Sequence, residues 1–375
     1  MSMKPLAALL LVLFACICPH AQAQNLVRFP AQGQVPAGYP ADYAAVIAGG
    51  EREGNLVVYA NTDIEVASAL INDFQVLYPK IGVEYHDLNS NDLDHRYLHE
   101  SLMGRLGADI VWSSAMDLQF NLVNDGFAQT YDSPEIAKLP SWAVWKNQAF
   151  GTTFEPVALV YNNRLLAKDE APQTRDDLAR LLNANADRFS RKVVTYDIER
   201  SEIGYLLAIE DAAQSDSFWT LAKAFGRVSA TFEPTSKDML QRIGGAESAI
   251  AYNAIGTYAM RRAATDGEIG YLFPKDYTLV LSRIMFIGKN AGNPNAARLW
   301  LDYVLSRRGQ AVIATQARLG SLRADVTEGI TIASLQQTLG SSLRPIPIGP
   351  NLIEDLDYKR RQQFLQRWKE SVAAR

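Results

Sequence analysis

Residues 54–85 read GNLVVYANTDIEVASALINDFQVLYPKIGVEY. Gly54 ends one helical stretch, and Leu56, Val57, Val58 and Tyr59 form a short apolar run with the makeup of a buried strand. A polar corner follows at Asn61, Thr62 and Asp63. Val66, Leu70, Phe74 and Leu77 then recur at helical spacing over residues 65–78, and residues 81–85 return to a strand pattern. Strand, polar corner, amphipathic helix and strand make the repeating unit of an α/β fold with a largely parallel sheet.

The rhythm continues outward from this stretch. Upstream, residues 30–40 are a Pro/Gly/Gln-rich arm and residues 41–53 a short helix. Downstream, the spacing predicts a helix at 97–106, a strand at 108–112 and a helix at 118–124 stopped by Gly126. After Phe150 the pattern restarts. Strands are expected at 158–161, 192–196, 248–252 and 279–288, and helices at 175–182, 203–213, 254–264 and 295–306. Residues 357–375 read as a terminal helix with Phe364, Leu365, Trp368 and Val372 inward and a basic outer face.

The chain has 375 residues, 48% apolar and 21% charged, the balance of a folded protein with room for two domains. Its net charge of -4 supplies no basic excess to neutralise phosphates, which argues against a nucleic-acid binder. Residues 1–23 carry Lys4, an apolar core and a small-x-small end at Ala21-Gln22-Ala23. They read as a secretory signal cleaved after Ala23, with an uncleaved anchor or a lipoprotein acylated at Cys16 as the alternatives. Cleavage removes both cysteines, Cys16 and Cys18, and takes the charge from -4 to -5 through loss of Lys4. A cysteine-free exported chain suits an oxidising compartment, here the periplasm.

Ligands of open α/β sheets bind beyond the carboxyl ends of the strands, so the strand-to-helix corners are the candidate site. The first corner carries Tyr59, Thr62 and Asp63, of which Thr62 or Asp63 can equally cap the next helix. The second carries Ser113 and Ser114 at a helix start, where free N–H groups attract anions. The third carries Arg200 and Ser201, with Gly204 allowing close approach and Glu202 repelling an anion unless it points away. Arg200 reads equally as a surface ion pair. The fourth carries Asn253 and Tyr258. Arg283 lies inside the apolar run 277–287, where it needs either a carboxylate partner or a bound anion.

Catalytic signatures are missing: no G-x-S-x-G, no Walker A loop and no G-x-G-x-x-G occurs. His95 and His99 are four apart, but Arg96 stands where a zincin motif needs Glu, so a solvated helix face is expected and no metal site. Neither cofactor nor catalytic residue is expected.

Export, alternating α/β halves and polar corners without catalytic machinery resemble a periplasmic solute-binding protein of an ABC importer. The run from Glu53 to Tyr59 followed by Thr62-Asp63 is similar to the opening of the ferric-binding and organophosphate-binding group of extracellular solute-binding family 1. Ala108-Asp109-Ile110-Val111, Gly151-Thr152-Thr153-Phe154-Glu155-Pro156 with Tyr161-Asn162, Asn293-Pro294-Asn295-Ala296-Ala297 and the run from Asp302 to Gln310 resemble further blocks, in order. The resemblance implies the type 2 periplasmic-binding fold, with two lobes of mostly parallel sheet flanked by helices and a hinge between them. It places an arm at 24–53, one lobe at 54–152 plus 276–340, the other at 153–275 and a helical extension at 341–375. The first crossing is expected near Thr152-Thr153 and the return near 274–279.

Ferric-binding members hold iron with a histidine, a glutamate and a tyrosine pair. The matching places here hold Asp63, Ser114 or Ala115, and Thr257-Tyr258. The implied cargo is therefore a small anionic organic solute: a phosphate ester, phosphonate or carboxylate. Ser113, Ser114, Ser201, Arg200 and Arg283 would hold the anion, and Tyr59, Thr62, Asp63, Asn253, Tyr258 and Thr152 would read hydroxyls or amines. The expected partners are an ABC permease in the inner membrane and, in the alternative, a sensor kinase docking the basic terminal helix. The chain is expected to act as a monomer, with Fe(III) capture as the competing function.

Overall fold

The computed structural model describes residues 34–354 and 356–373. The signal segment and its cleavage point lie outside the described residues, as does the arm up to residue 33. Among the described residues, thirteen strands sort into two sheets. In chain order they are β1 (Asn55–Ala60), β2 (Gly82–Asp87), β3 (Ile110–Ser113), β4 (Val144–Trp145), β5 (Ala149–Gly151), β6 (Glu155–Asn162) and β7 (Val193–Tyr196). They continue with β8 (Thr231–Glu233), β9 (Ile250–Ile255), β10 (Ile269–Leu272), β11 (Thr278–Leu281), β12 (Ile284–Ile287) and β13 (Leu343–Pro345).

The first sheet runs β2-β1-β3-β12-β5-β4. Leu56, Val58 and Ala60 of β1 are fully buried on one face, against Val66, Ala67, Leu70 and Phe74 of the helix Ile64–Leu77. This is the two-residue period of a strand meeting the three-to-four-residue period of a helix. The second sheet runs β13-β11-β6-β9-β7-β8, with β10 added to β6. All eight residues of β6 are buried. The two-lobed α/β architecture is present, but the sheets are mixed rather than mostly parallel. Parallel pairs are β1–β2, β1–β3, β7–β8, β7–β9 and β11–β13, while β12 and β6 pair antiparallel with their neighbours β3, β5, β9, β10 and β11.

The chain passes from the first sheet to the second at Thr152, Thr153 and Phe154, between β5 and β6. The apolar run 277–287 expected as one strand is two. β11 pairs with β6 in the second sheet, Ser282 and Arg283 cross, and β12 pairs with β3 and β5 in the first. The return therefore falls after 281 rather than at 274–279. The extension is not separate either: β13 pairs with β11. Its terminal helix, Tyr358–Ala373, lies on the helix Ser217–Arg227, where Phe364 and Trp368 stack on Phe218 at 6.2 and 5.9 Å between ring centroids. Gly226 permits this approach, since a Cβ there would come within 2.3 Å of the Val372 carbonyl.

The expected helix at 97–106 begins earlier and spans Ser90–Leu102, because Asn89 caps it by accepting from the Asp92 N–H. Its apolar period is faint, with only Leu93 and Tyr97 buried. Among the described residues no helix is long and apolar enough to cross a membrane.

Candidate functional site

Six strand ends converge on one cavity of about 540 Å³ between the lobes. From the first lobe it is lined by Asn61 and Asp63 after β1, by Asp87 and residues 88–91 after β2, and by Ser114 after β3. The second lobe contributes Tyr196 and residues 200–203 after β7, residues 234–237 after β8, and Ile255 and Tyr258 after β9. Arg283 of the crossing segment closes the back. Every contributing parallel strand delivers its carboxyl end, the geometry that fixes ligand sites in open α/β sheets.

Asn61 ties the first-lobe wall together. Its Nδ2 donates to Ser90 Oγ at 2.8 Å and Ser114 Oγ at 2.9 Å, and its Oδ1 accepts from the Ser114 N–H at 3.0 Å. Two acids stand beside it. Asp87 Oδ2 accepts from the Ile64 N–H at 3.0 Å. Burial raises the Asp87 pKa, the Ile64 hydrogen bond pulls it down, Asp63 and Glu65 push it up again, and Lys237 of the opposite lobe lowers it.

Two helix starts form the second-lobe wall. Ser201 caps the helix Glu202–Gln214 by accepting from the Gly204 N–H at 3.3 Å, and Thr235 caps Ser236–Gly244 by accepting from the Asp238 N–H at 3.1 Å. Ser236 is held in place by its Oγ, which accepts from the Ile255 N–H at 2.9 Å and shares a hydrogen with Tyr196 Oη at 2.6 Å. Arg200 and Lys237 add two exposed cations that make no ion pair among the described residues. The wall is thus positive by both side chains and backbone.

Gly204 does allow a close approach, but to Tyr196 rather than to a ligand: a Cβ there would sit 2.5 Å from Tyr196 Cβ. Gly204→Ala is therefore expected to push the helix off β7 and carry Ser201 with it, destabilising the protein by about 1–3 kcal/mol in urea denaturation.

Arg283 finds the carboxylate that the sequence required. Nε donates to Glu155 Oε1 at 2.8 Å and Nη2 to Glu155 Oε2 at 3.3 Å, while Nη1 donates to Thr62 Oγ1 at 3.0 Å. Thr153 and Thr257 donate to the two Glu155 oxygens at 2.8 and 2.9 Å. Tyr258 Oη accepts from Arg283 Nη2 at 3.4 Å. Burial raises the Tyr258 pKa above its ordinary value, against the pull of Arg283.

Of the eleven residues singled out in the sequence, Asp63, Ser114, Arg200, Ser201, Tyr258 and Arg283 line the cavity. The other five are committed elsewhere. Tyr59 donates to Glu100 Oε2 at 3.0 Å on the far face of β1. Thr62 holds Arg283 from behind, and Ser113 Oγ accepts from the Ala115 N–H at 3.2 Å. Thr152 Oγ1 donates to the Arg283 carbonyl and accepts from Trp112 Nε1, both at 2.8 Å. Asn253 sits at φ 60° where Tyr252 and Asn253 together oppose Leu159 in a bulge, and its amide donates to Asp211 in the lobe interior. The cavity is also lined by Asn61, which the sequence places in the first polar corner without assigning it a ligand role, and by Asp87, residues 88–91 and the whole 234–237 corner, none of which is among the candidates read from the sequence. The Thr235-x-x-Asp238 capping pattern is the signal that marks the last of these.

Residues 69–337 match the family described as bacterial extracellular solute-binding protein. Among solved structures, the chain is similar to the substrate binding protein of the ABC transporter from Agrobacterium tumefaciens. The two are 35% identical over 85% of this chain and 94% of that one, with a TM-score of 0.81. The periplasmic binding protein AfuA from Actinobacillus pleuropneumoniae, with exogenous fructose-6-phosphate bound, is 16% identical over 85% and 98% of the two chains, with a TM-score of 0.70. Iron-bound HitA from Pseudomonas aeruginosa is 15% identical over 84% and 99%, with a TM-score of 0.66. No curated protein matches the chain in sequence. A cleft between two α/β lobes, the match over most of the chain and the Agrobacterium relative lead to one assignment: the chain belongs to the bacterial extracellular solute-binding proteins, the substrate-binding components of ABC transporters.

Proposed function

We propose that the chain captures a small anionic organic solute, a phosphate ester, phosphonate or carboxylate, in the interlobe cleft and delivers it to an inner-membrane permease. It would do so from the periplasm, as a monomer and without catalysing a reaction. The observation that carries this reading is the asymmetry of the cleft. The second-lobe wall offers Arg200, Lys237 and two capped helix starts to an anion. The first-lobe wall offers Asn61, Asp63, Asp87, Asn89, Ser90 and Asn91, which suit hydroxyl or amine groups on the same solute. A ligand touching both walls favours the closed arrangement by its differential contacts.

Fe(III) fits less well. A hard trivalent ion wants several anionic oxygens. Of the two phenols that line the cleft, Tyr196 is tied to Ser236 at 2.6 Å, and Tyr258 lies 3.4 Å from the Arg283 guanidinium with its ring also covered by Arg261 at 4.7 Å. Among the described residues no group of three acidic, histidine or cysteine side chains is placed to hold a metal.

A thermal-shift panel tests the reading, with fructose 6-phosphate, glycerol 3-phosphate, 2-aminoethylphosphonate, citrate and inorganic phosphate against ferric citrate. At least one anion is expected to raise Tm in proportion to the logarithm of its concentration, and Arg200→Ala to weaken that anion about tenfold or more. Stabilisation by ferric iron alone would overturn the proposal.

A further inference from the structure

We propose that the C-terminal helix belongs to the ligand site: Arg361 and Lys369 neutralise Glu202 and Glu199, the two acids flanking Arg200 and Ser201, and so make that corner accept an anion. The inference rests on the anion reading of the cleft and adds a specificity-determining residue, Arg361, that touches no ligand.

The corner reads Glu199-Arg200-Ser201-Glu202, two acids against one base, so on its own it carries a net charge of -1. Glu202 occupies the first turn of the helix whose N–H groups face the cleft, and it lines the cavity itself. An uncompensated carboxylate there would oppose an incoming anion with a full charge, against the half charge of the helix dipole. Arg361 removes it. Nη1 donates to Glu202 Oε2 at 2.8 Å and Nη2 to Oε1 at 3.0 Å, a bidentate pair whose side chains are only 20% and 12% exposed. The guanidinium carbon lies over the Tyr205 ring, 4.2 Å from its centroid, a cation–π contact that helps hold its direction. Lys369 meets Glu199 at 2.8 Å, but this pair is about half exposed and counts for less. With both acids answered from the terminal helix, Arg200 remains the uncompensated charge of the four residues 199–202, while Asp197 upstream accepts from the Glu199 N–H at 3.1 Å.

The helix does not depend on these pairs for its place. Phe364 and Trp368 stack on Phe218, Trp368 also meets Phe225 and Phe232, and Arg367 covers Trp219 at 3.9 Å. A change at Arg361 therefore alters charge while leaving the helix docked.

Titration calorimetry of the full exported chain with inorganic phosphate and fructose 6-phosphate at low ionic strength tests the idea. Arg361→Gln is expected to weaken whichever anion binds by about tenfold, Arg361→Lys to stay within about threefold of the parent, and Glu202→Gln/Arg361→Gln to recover affinity to about that level. Only an electrostatic role restores binding by removing the acid as well. Unchanged affinity in Arg361→Gln overturns the inference, and so does a double variant no better than the single one, which would make Arg361 a structural brace. A parent chain that binds neither probe nor any other anion of the panel overturns the anion reading first, and this inference with it.

Discussion

Arg283→Met is expected to cost the ligand-free protein about 3–5 kcal/mol in urea denaturation, because it strands a buried carboxylate. Arg283 is 1% exposed and Glu155 fully buried, and the pair joins the return crossing to the first residue of β6. Methionine replaces the stem but not the fork, leaving Glu155 with only the hydroxyls of Thr153 and Thr257. Two threonine donors do not offset the desolvation of a charge. Glu155→Gln in the same chain removes that charge and keeps an acceptor for the threonines, so the double variant is expected to recover most of the loss. A single variant within about 1 kcal/mol of the parent would mean the pair contributes little beyond ordinary packing. The position makes this more than a core defect. Arg283 also holds Thr62 of the first lobe and reaches Tyr258 of the second, so losing it loosens the point about which the lobes turn.

What the sequence could and could not convey follows from the range of each interaction. The unit from β1 through the helix Ile64–Leu77 was legible because its burial alternates within a few residues. The break at Ser282 and Arg283 was not. β11 and β12 are buried in different sheets, and two fully buried strands joined end to end show one unbroken apolar run. The charge of Arg283 was the one local sign of the crossing, and its partner lies 128 residues away. β8 is three half-buried residues with no apolar pattern, so the corner it delivers at Thr235, Ser236 and Lys237 left only a capping motif as a trace. Asn253 was legible as a polar residue at a strand end, but the bulge that turns it inward depends on the register with β6. Corner position alone therefore found half the wall. Which way each side chain points was decided by partners remote in sequence.

Asp117→Asn supplies the second large effect, and its signature is a dependence on pH. Asp117 is 2% exposed, in the helix Met116–Asn124 where the first lobe meets the second, and neither carboxylate oxygen has a hydrogen-bond partner. Tyr205, Glu210 and Leu352 surround it, with the charges of Glu202 and Arg361 close by. Burial raises its pKa from 3.8 to about 7, Glu202 adds to the rise, and nearby backbone N–H groups and Arg361 oppose it. Below pH 3.8 the group is protonated in both folded and unfolded chains and costs nothing. As pH climbs toward 7 the unfolded chain releases the proton that the folded chain retains, so stability falls by up to about 4 kcal/mol and then levels off. Asparagine keeps the shape and cannot ionise. Its own unsatisfied amide carries a cost that does not change with pH, so the stability difference between variant and parent at pH 8, minus the same difference at pH 4, isolates the charge. That quantity is expected to be about 3–4 kcal/mol in favour of the variant. A flat difference would mean that Asp117 ionises as freely in the folded protein as in the unfolded one. The same titration reaches the cleft through Arg361, which faces Glu202 and Asp117 at once. Arg361→Gln should raise the midpoint of the Asp117 transition, because a nearby cation that favours its charged form is gone.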